Sequence, residues 1–256
     1  MMVGRRAFST GQEWPSFLTQ EKGAAVDVLL AESNDIMFNL ATEEYIFEHV
    51  DVVNPILFLW RNSPTIIIGK HQNPWKECHV QKLEDDGVVL ARRKSGGGCV
   101  YQDLGNSVFS FINPIDFEKE DFKTLNNEVL INALSEFGVK GEASGRNDLV
   151  VDGKKVSGSA YKLKLGKKDG SGRRSLHHGT MLLDLELGAL GKYLNPNKKK
   201  LESKGVASVI SRVMNLREEV PDITHDSWNA ALERAFVSKW QGKAVNRVTL
   251  AESELR

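Results

Sequence analysis

Apolar residues along this chain come in short runs separated by polar, glycine-bearing or proline-bearing breaks. The runs alternate between the two-residue period of strands and the 3.6-residue period of helices. Val26–Leu30, Leu57–Trp60, Thr65–Gly69 and Val88–Ala91 are apolar stretches of strand length, and Asn62, Ser63 and Pro64 supply turn chemistry between the second and third. A helix is predicted from about Met37 to His49, capped by Ser33 or Asn34, with Phe38, Ala41, Tyr45 and Ile46 on its apolar stripe. Pro74 opens a second helix that runs through Leu83 and stops before Gly87. A third spans Phe122–Phe137, with Leu125, Val129, Ala133, Leu134 and Phe137 at helical spacing and Gly138 as its stop. The last helix spans Asp226–Trp240, capped by Thr224 or Asp226.

Further strands are predicted at Ser107–Ile112, His177–Leu185 and Ala244–Leu250. Leu149–Val151 and Lys154–Leu163 flank Asp152 and Gly153, the dipeptide of a two-residue hairpin turn. Gly166–Arg174 is polar and glycine-rich and is predicted to be a mobile loop. Strands between helices, with hairpins among them, predict an α+β (mixed α/β) domain with a central mixed or antiparallel sheet flanked by helices.

Length and composition narrow the function classes. The 256 residues fit one large domain or two small ones, and 41% hydrophobic with 27% charged residues is an ordinary mix for a chain with a sizeable core. Lys+Arg and Asp+Glu both number 34, so no net positive charge points to nucleic acid. No apolar run reaches the roughly 20 residues that span a bilayer. Cys78 and Cys99 are too few for a disulfide framework, which fits a reducing compartment. Residues 1–12 carry Arg5, Arg6, Ser9 and Thr10 without an acid, a composition that resembles a mitochondrial transit peptide, with a frayed basic terminus in the cytoplasm as the alternative. Residues 1–25 are therefore set apart as a leader from a domain over residues 26–256.

Candidate chemistry concentrates in a few segments. Gly96, Gly97 and Gly98 form a run without Cβ atoms, so their N–H groups can approach a phosphate, beside positive charge from Arg92, Arg93 and Lys94. Neither common phosphate fingerprint fits: Cys99 follows Gly98 where a Walker A loop has Gly-Lys, and Tyr101 stands where a dinucleotide fingerprint has glycine. A flexible glycine hinge is the plain alternative. In the second hairpin strand, strict alternation places Lys155, Ser157 and Ser159 on one face and Lys154, Val156 and Gly158 on the other. A lysine beside small residues can project into a cavity as a point charge for phosphate; a solvated edge strand is the alternative. His177 and His178 are adjacent on a strand and face opposite ways, so one lines a cavity, one packs away, and they do not share a zinc ion. Cys99 is a candidate acyl-accepting nucleophile with no histidine beside it in sequence. Lys198, Lys199 and Lys200 read as a solvated helix start or a guide for an acidic partner.

Taken in order, ARRKSGGGCVYQDLGN, GRNDLVV, KKVSGSAYK, HHGTMLLD and NPNKKKLESKG resemble the lipoate–protein ligase A family from about Val28 to Val245, and FLWRN and IGKHQNPWKE upstream agree. The resemblance implies a biotin/lipoate protein ligase-like catalytic domain and a two-step reaction. Lipoate and ATP give lipoyl-AMP and pyrophosphate, and the ε-amine of a lysine on a lipoyl acceptor domain then displaces AMP. It implies ATP, Mg²⁺ and (R)-lipoate as ligands. The acceptors would be the E2 subunits of 2-oxoacid dehydrogenases and the glycine cleavage H protein, with no nucleic-acid or membrane partner. Residue by residue, it puts Arg93, Ser95, Gly96, Gly97, Gly98, Cys99, Val100 and Tyr101 around the nucleotide or lipoyl-AMP, with Asn147, Asp148, Ser157, Gly158 and Ala160. It makes Lys155 the catalytic lysine, assigns lipoate to Arg93, Gly98, Lys155 and His178, and gives Mg²⁺ to Asp148. The usual His-Asp of the glycine loop is Gln102-Asp103 here, and the accessory C-terminal domain of bacterial members has no counterpart in this sequence, which leaves three expectations: a separate accessory protein as partner, a truncated sequence, or transfer of a preformed lipoyl-adenylate only. Three readings follow: a complete ATP-dependent ligase, a lipoyl- or octanoyltransferase fed with a preformed activated acyl group, or a non-catalytic lipoyl-domain binding module.

Overall fold

A run that is apolar at every position must be covered on both faces, and Ile56–Trp60 shows the consequence. Leu57 and Leu59 pack into one hydrophobic cluster while Ile56, Phe58 and Trp60 pack into another. The computed structural model, which describes residues 18–19, 21–115, 120–167, 171–195, 213–240 and 244–252, builds this from a central sheet between two layers. In chain order the elements are β1 (Ala25–Ala31), α1 (Ile36–His49), β2 (Ile56–Trp60), β3 (Thr65–Ile68), α2 (Pro74–Glu77), α3 (Val80–Asp85), β4 (Val89–Arg92) and β5 (Val100–Gln102). They continue with β6 (Asn106–Asn113), α4 (Phe122–Ser135), β7 (Glu142–Ser144), β8 (Asp148–Val151), β9 (Lys154–Lys164) and β10 (Arg174–Leu182). The last are α5 (Leu187–Tyr193), α6 (His225–Lys239) and β11 (Ala244–Leu250). Leu18, Thr19 and Gly23 already pack or bond against the domain, Thr19 through Asp27 and Gly23 through Asn54.

The main sheet has the order β11-β1-β2-β6-β10-β9-β8-β7. β11, β1 and β2 run parallel, and every pairing from β2 onward is antiparallel. A second sheet, β4-β3-β5, pairs β3 parallel to β4 and antiparallel to β5. The two apolar strands on either side of Asn62–Pro64 thus enter different sheets. One layer is α4 and α6, whose Val129, Leu130, Ala133, Trp228, Leu232 and Phe236 meet the main sheet. The opposite layer is α1 with the small sheet. A third cluster, including Ile66, Ile68, Leu83, Tyr101 and Tyr193, lies on the small sheet's far side. No helix among the described residues is long and apolar enough to cross a membrane.

Local chemistry places most boundaries. Asp152 and Gly153 both take positive φ, 48° and 75°, as a type I′ hairpin turn requires. Thr224 caps α6 in a reciprocal box with Ser227. Four expectations change. α1 is capped by Asp35, whose carboxylate accepts from the Met37 N–H, while the Ser33 hydroxyl serves the Asp35 N–H. Its buried face is not the predicted stripe: Ala41 is exposed and Phe38 and Tyr45 are half-buried, whereas Asn39, Thr42 and Glu43 are buried beside Ile36, Ile46 and Phe47. The predicted Pro74–Leu83 helix breaks into α2 and α3, because extended Cys78 (φ −146°) leaves the helix to bridge Leu194. The His177–Leu185 strand starts earlier and ends at Leu182, since Leu183 and Asp184 turn their N–H groups to the Gly105 carbonyl. The Lys198–Lys200 run, most of the leader and residues 168–170 of the Gly166–Arg174 loop lie outside the described residues.

Candidate functional site

One row of paired residues crosses five strands on the α1 side of the main sheet. Trp60 on β2 pairs with Val108 on β6, Val108 with Thr180 on β10, Thr180 with Gly158 on β9, and Gly158 with Asp148 on β8. At about 4.8 Å per strand the row spans roughly 19 Å. All five residues line a cavity of about 1020 Å³. Its β2 end is apolar, walled by Leu40, Ile67 and Val100 as well as Trp60 and Val108. Its β8 end is charged, with Lys155, Asp148, Arg146 and Lys123.

The glycine run lines the same cavity. Arg93 is buried (8% exposed) and spends its donors on the loop itself. Nη2 reaches the Gly96 and Gly98 carbonyls, both at 2.7 Å, Nε reaches Gly96 O at 3.1 Å and Ser95 Oγ at 3.2 Å, and Nη1 reaches Ile67 O at 3.2 Å. The carbonyls are thereby drawn inward, and among the described residues the N–H groups of Gly96, Gly97 and Gly98 donate to no protein acceptor. Gly97 needs to be glycine twice over: φ is +93°, and a Cβ would stand 2.8 Å from Arg93 Nη2. The Gly97 carbonyl presses on Gly69, where a Cβ would approach it to 2.4 Å. The loop is therefore pinned rather than a hinge. Of the three basic residues before it, only Arg93 lines the cavity. Arg92 turns to the carbonyls of Gly69, Lys70 and Gln72, and Lys94 is exposed outside the lining. Burial lowers the Arg93 pKa, with the Cys99 thiol and the Glu43 carboxylate acting the other way.

Lys155 reaches the cavity by a route that alternation does not predict. Leu149 pairs with Ser157 but Val150 pairs with Lys155, so Val156 is an extra residue bulged into the core. Asp148 and Val150 share a face of β8, and their partners Gly158 and Lys155 therefore share one too. The expected grouping of Lys155 with Ser157 is overturned. Ser157 is buried at 2% exposure and outside the cavity lining. Lys155 lies across Gly158, where a Cβ would be 2.5 Å from Nζ, and Nζ meets Asp148 Oδ1 at 2.7 Å. Asn147 lies at the same end, donating from Nδ2 to Ser159 O at 2.6 Å while its own carbonyl accepts from the Ser159 N–H and hydroxyl.

The two histidines separate as alternation requires. His178 lines the cavity, with Nδ1 2.8 and 2.9 Å from the Glu43 carboxylate oxygens and Nε2 2.6 Å from Ser95 Oγ. His177 is fully buried among Phe109, Phe111 and Tyr161, and burial pushes its pKa down to about 3. Ser95, Ser157 and Tyr101 are not brought into the lining; Tyr101 stacks on Tyr193 at 5.7 Å behind the small sheet. Cys99 lines the cavity beside the Cys78 thiol, and burial pushes its pKa up to about 12, which disfavours the thiolate that a nucleophile needs. Gln102 also lines the cavity and accepts from Asn62 Nδ2 at 2.6 Å, while Asp103 bonds the Gly105 and Glu186 N–H groups.

Glu43, Lys123 and Arg146 carry charge at or behind this site without having been singled out. Glu43 had a signal: it shares a helix face with Asn39 and Ile46, a polar pair where a plain core stripe has none. Lys123 had none, because only the docking of α4 brings it over the Tyr161 ring at 4.7 Å. Among the described residues no cluster of three metal-ligating side chains exists, and Asp148 is the carboxylate of the cavity lining. One carboxylate suits a Mg²⁺ carried in on phosphates better than a resident ion.

Comparison with known proteins adds an independent finding. The family model described as Lipoyl protein ligase A/B catalytic domain matches residues 35–237. Among solved structures, lipoate-bound LipL1 of P. falciparum is 34% identical, with a TM-score of 0.71 over 87% of this chain and 66% of that one. The chain thus spans just under two thirds of that protein. A chain of the bi-partite lipoate protein ligase of Thermoplasma acidophilum, studied with its E2 lipoyl domain, is 28% identical with a TM-score of 0.74 over 90% of this chain and 89% of that one. An ATP-bound lipoate-protein ligase A is 26% identical with a TM-score of 0.73 over 90% and 92% of the two chains.

Proposed function

Since the chain belongs to the lipoyl protein ligase A/B catalytic-domain family, we propose that it activates lipoate with ATP and transfers the lipoyl group to a lysine ε-amine on lipoyl acceptor domains. The observation that carries this is the cross-strand row: a single cavity has apolar walls at Trp60 and Val108, an ammonium, Lys155, at its far end, and in its lining three glycines whose N–H groups donate to no acceptor among the described residues. An acyl chain fits the first part, and a nucleotide phosphate fits the second.

The reacting groups are a carboxylate and a triphosphate, which repel each other. Lys155 Nζ, released from Asp148, sits where the two meet and neutralises charge that builds at the α-phosphorus. The glycine N–H groups orient the phosphate, and Lys123 and Arg146 face the departing pyrophosphate from the rim. Mg²⁺ bound to the triphosphate, with Asp148 beside it, would supply further charge neutralisation. In the second step a neutral acceptor amine attacks the acyl carbonyl, AMP leaves, and the proton lost by the amine passes to solvent or phosphate.

The likeness to one chain of a bi-partite ligase supports a role for a separate accessory protein in the first step. 2-Oxoacid dehydrogenase E2 subunits and glycine cleavage H protein are the proposed acceptors, and mitochondrial import is proposed from the composition of residues 1–12. Lipoate-dependent ATP–pyrophosphate exchange, with and without a candidate accessory protein, tests the proposal. Exchange above background is the expected result. Background exchange with intact transfer from synthetic lipoyl-AMP would instead make the chain a transferase, and loss of both would make it a binding module.

A further inference from the structure

Behind the cavity, a line of buried side chains joins its apolar end to the glycine run. Trp60 Nε1 donates to Ser110 Oγ at 3.1 Å, and Ser110 Oγ donates to Glu43 Oε2 at 2.5 Å. The Glu43 carboxylate accepts from His178 Nδ1, and the other ring nitrogen, Nε2, is 2.6 Å from Ser95 Oγ. Ser95 Oγ also accepts from Arg93 Nε at 3.2 Å, so a contiguous line of hydrogen bonds runs from Glu43 to Arg93. Trp60, Glu43, Arg93, Ser95, Ser110 and His178 are each 8% exposed or less, so water does not substitute for a missing link. Ser95 does not line the cavity, and its effect on any ligand passes through Arg93 and His178, which do.

We propose that His178 is a positioning residue for the nucleotide loop: held by Glu43, it orients the Ser95 hydroxyl, which fixes Arg93, which draws the Gly96 and Gly98 carbonyls inward and leaves the loop N–H groups for phosphate. A buried carboxylate and a buried guanidinium stand at the two ends of this bridge, and the shape of the phosphate end is tied to the floor of the acyl end. A side chain that contacts the acyl group and also sets the loop couples the two halves of the cavity by a contiguous two-ended network. The inference rests on reading this cavity as an acyl and nucleotide site.

The test has two arms. In the ligand-free protein, the exchange rate of the Arg93 Nε–H is measured by NMR in the wild type, Ser95→Ala, His178→Asn and the double variant. Each single change should speed exchange about tenfold or more, the scale of one lost buried hydrogen bond to a charged group. The double variant should be no faster than the singles, because both break one chain. Glu43→Ala, three hydrogen bonds from Arg93, replaces His178→Asn if that variant fails to fold. Wild-type exchange in the His178 or Glu43 variant, or additive effects in the double, would overturn the relay. In the second arm, titration with ATP and separately with lipoate should show ATP binding weakened more than lipoate binding by Ser95→Ala, because the loop N–H groups that Arg93 sets face the phosphate. Equal losses for both ligands would also overturn the relay. A wild-type protein that binds neither ATP nor lipoate would sink the reading of the cavity, while the exchange arm still decides the relay.

Discussion

A lysine can lie back over its own strand only where a neighbour leaves room, and Gly158 is that room. A Cβ there would meet Lys155 Nζ at 2.5 Å and Cε at 2.8 Å, both at the mobile end of the side chain. Gly158→Ala should therefore displace the ammonium without straining the backbone. Stability should change by less than about 1 kcal/mol while lipoyl transfer falls about tenfold or more. Denaturant unfolding and a transfer assay together check this, and full activity would remove the importance given to the resting place of Lys155. Lys155→Ala should lose transfer outright and keep acceptor-domain binding. Lys154→Ala should be mild, because Lys154 is exposed at the turn and off the cavity lining.

An amphipathic helix ordinarily buries its apolar stripe, and α1 departs from this for a reason visible in its contacts. Asn39 Nδ2 ties the start of the helix to Ser33 O, Arg61 O and Asn62 Oδ1 at 3.0–3.2 Å, and Asn62 continues to Gln102 in the cavity wall. One turn on, Glu43 anchors His178. The stripe reading predicts that Asn39→Leu adds apolar burial and stabilises the protein. The contacts predict the reverse, a loss of about 1–3 kcal/mol from buried carbonyls and an amide left without partners. Urea unfolding decides between them, and a stabilised variant would show that the polar face of α1 is incidental.

At the scale of the whole molecule, one buried histidine sets part of the response to acid. On the α4 and α6 side His177 is sealed among aromatic rings, and neither ring nitrogen has a hydrogen-bond partner among the described residues. Burial holds its pKa at about 3 in the folded protein against an ordinary 6.5, so the unfolded chain binds the extra proton between those values. Its contribution is then complete above about pH 6.5 and is lost as pH falls towards 3, at up to about 1.4 kcal/mol per pH unit. His177→Leu should flatten the acid limb of the stability–pH curve by about one proton. An unchanged slope between pH 6 and 4 would mean that His177 is not buried neutral.

Sequence alone was enough for most of the strands, the hairpin and its turn, the long helices and the Thr224 cap of α6, the family, and most of the cavity lining around Gly96–Gly98 and Asn147–Gly158, but not for β5, β7 or the cap of α1. These follow from local rules: alternation, capping oxygens, and glycine where no side chain fits. Tertiary structure decided the rest. A bulge, which depends on pairing with β8, moved Lys155 onto the face of Gly158. Packing against β10 turned α1 so that Glu43 rather than Tyr45 points inward. Docking of α4 brought in Lys123, and burial turned Arg93 from a free cation into the pin of its own loop. Each of these depends on a partner distant in the chain, so no window of neighbouring residues contains the information.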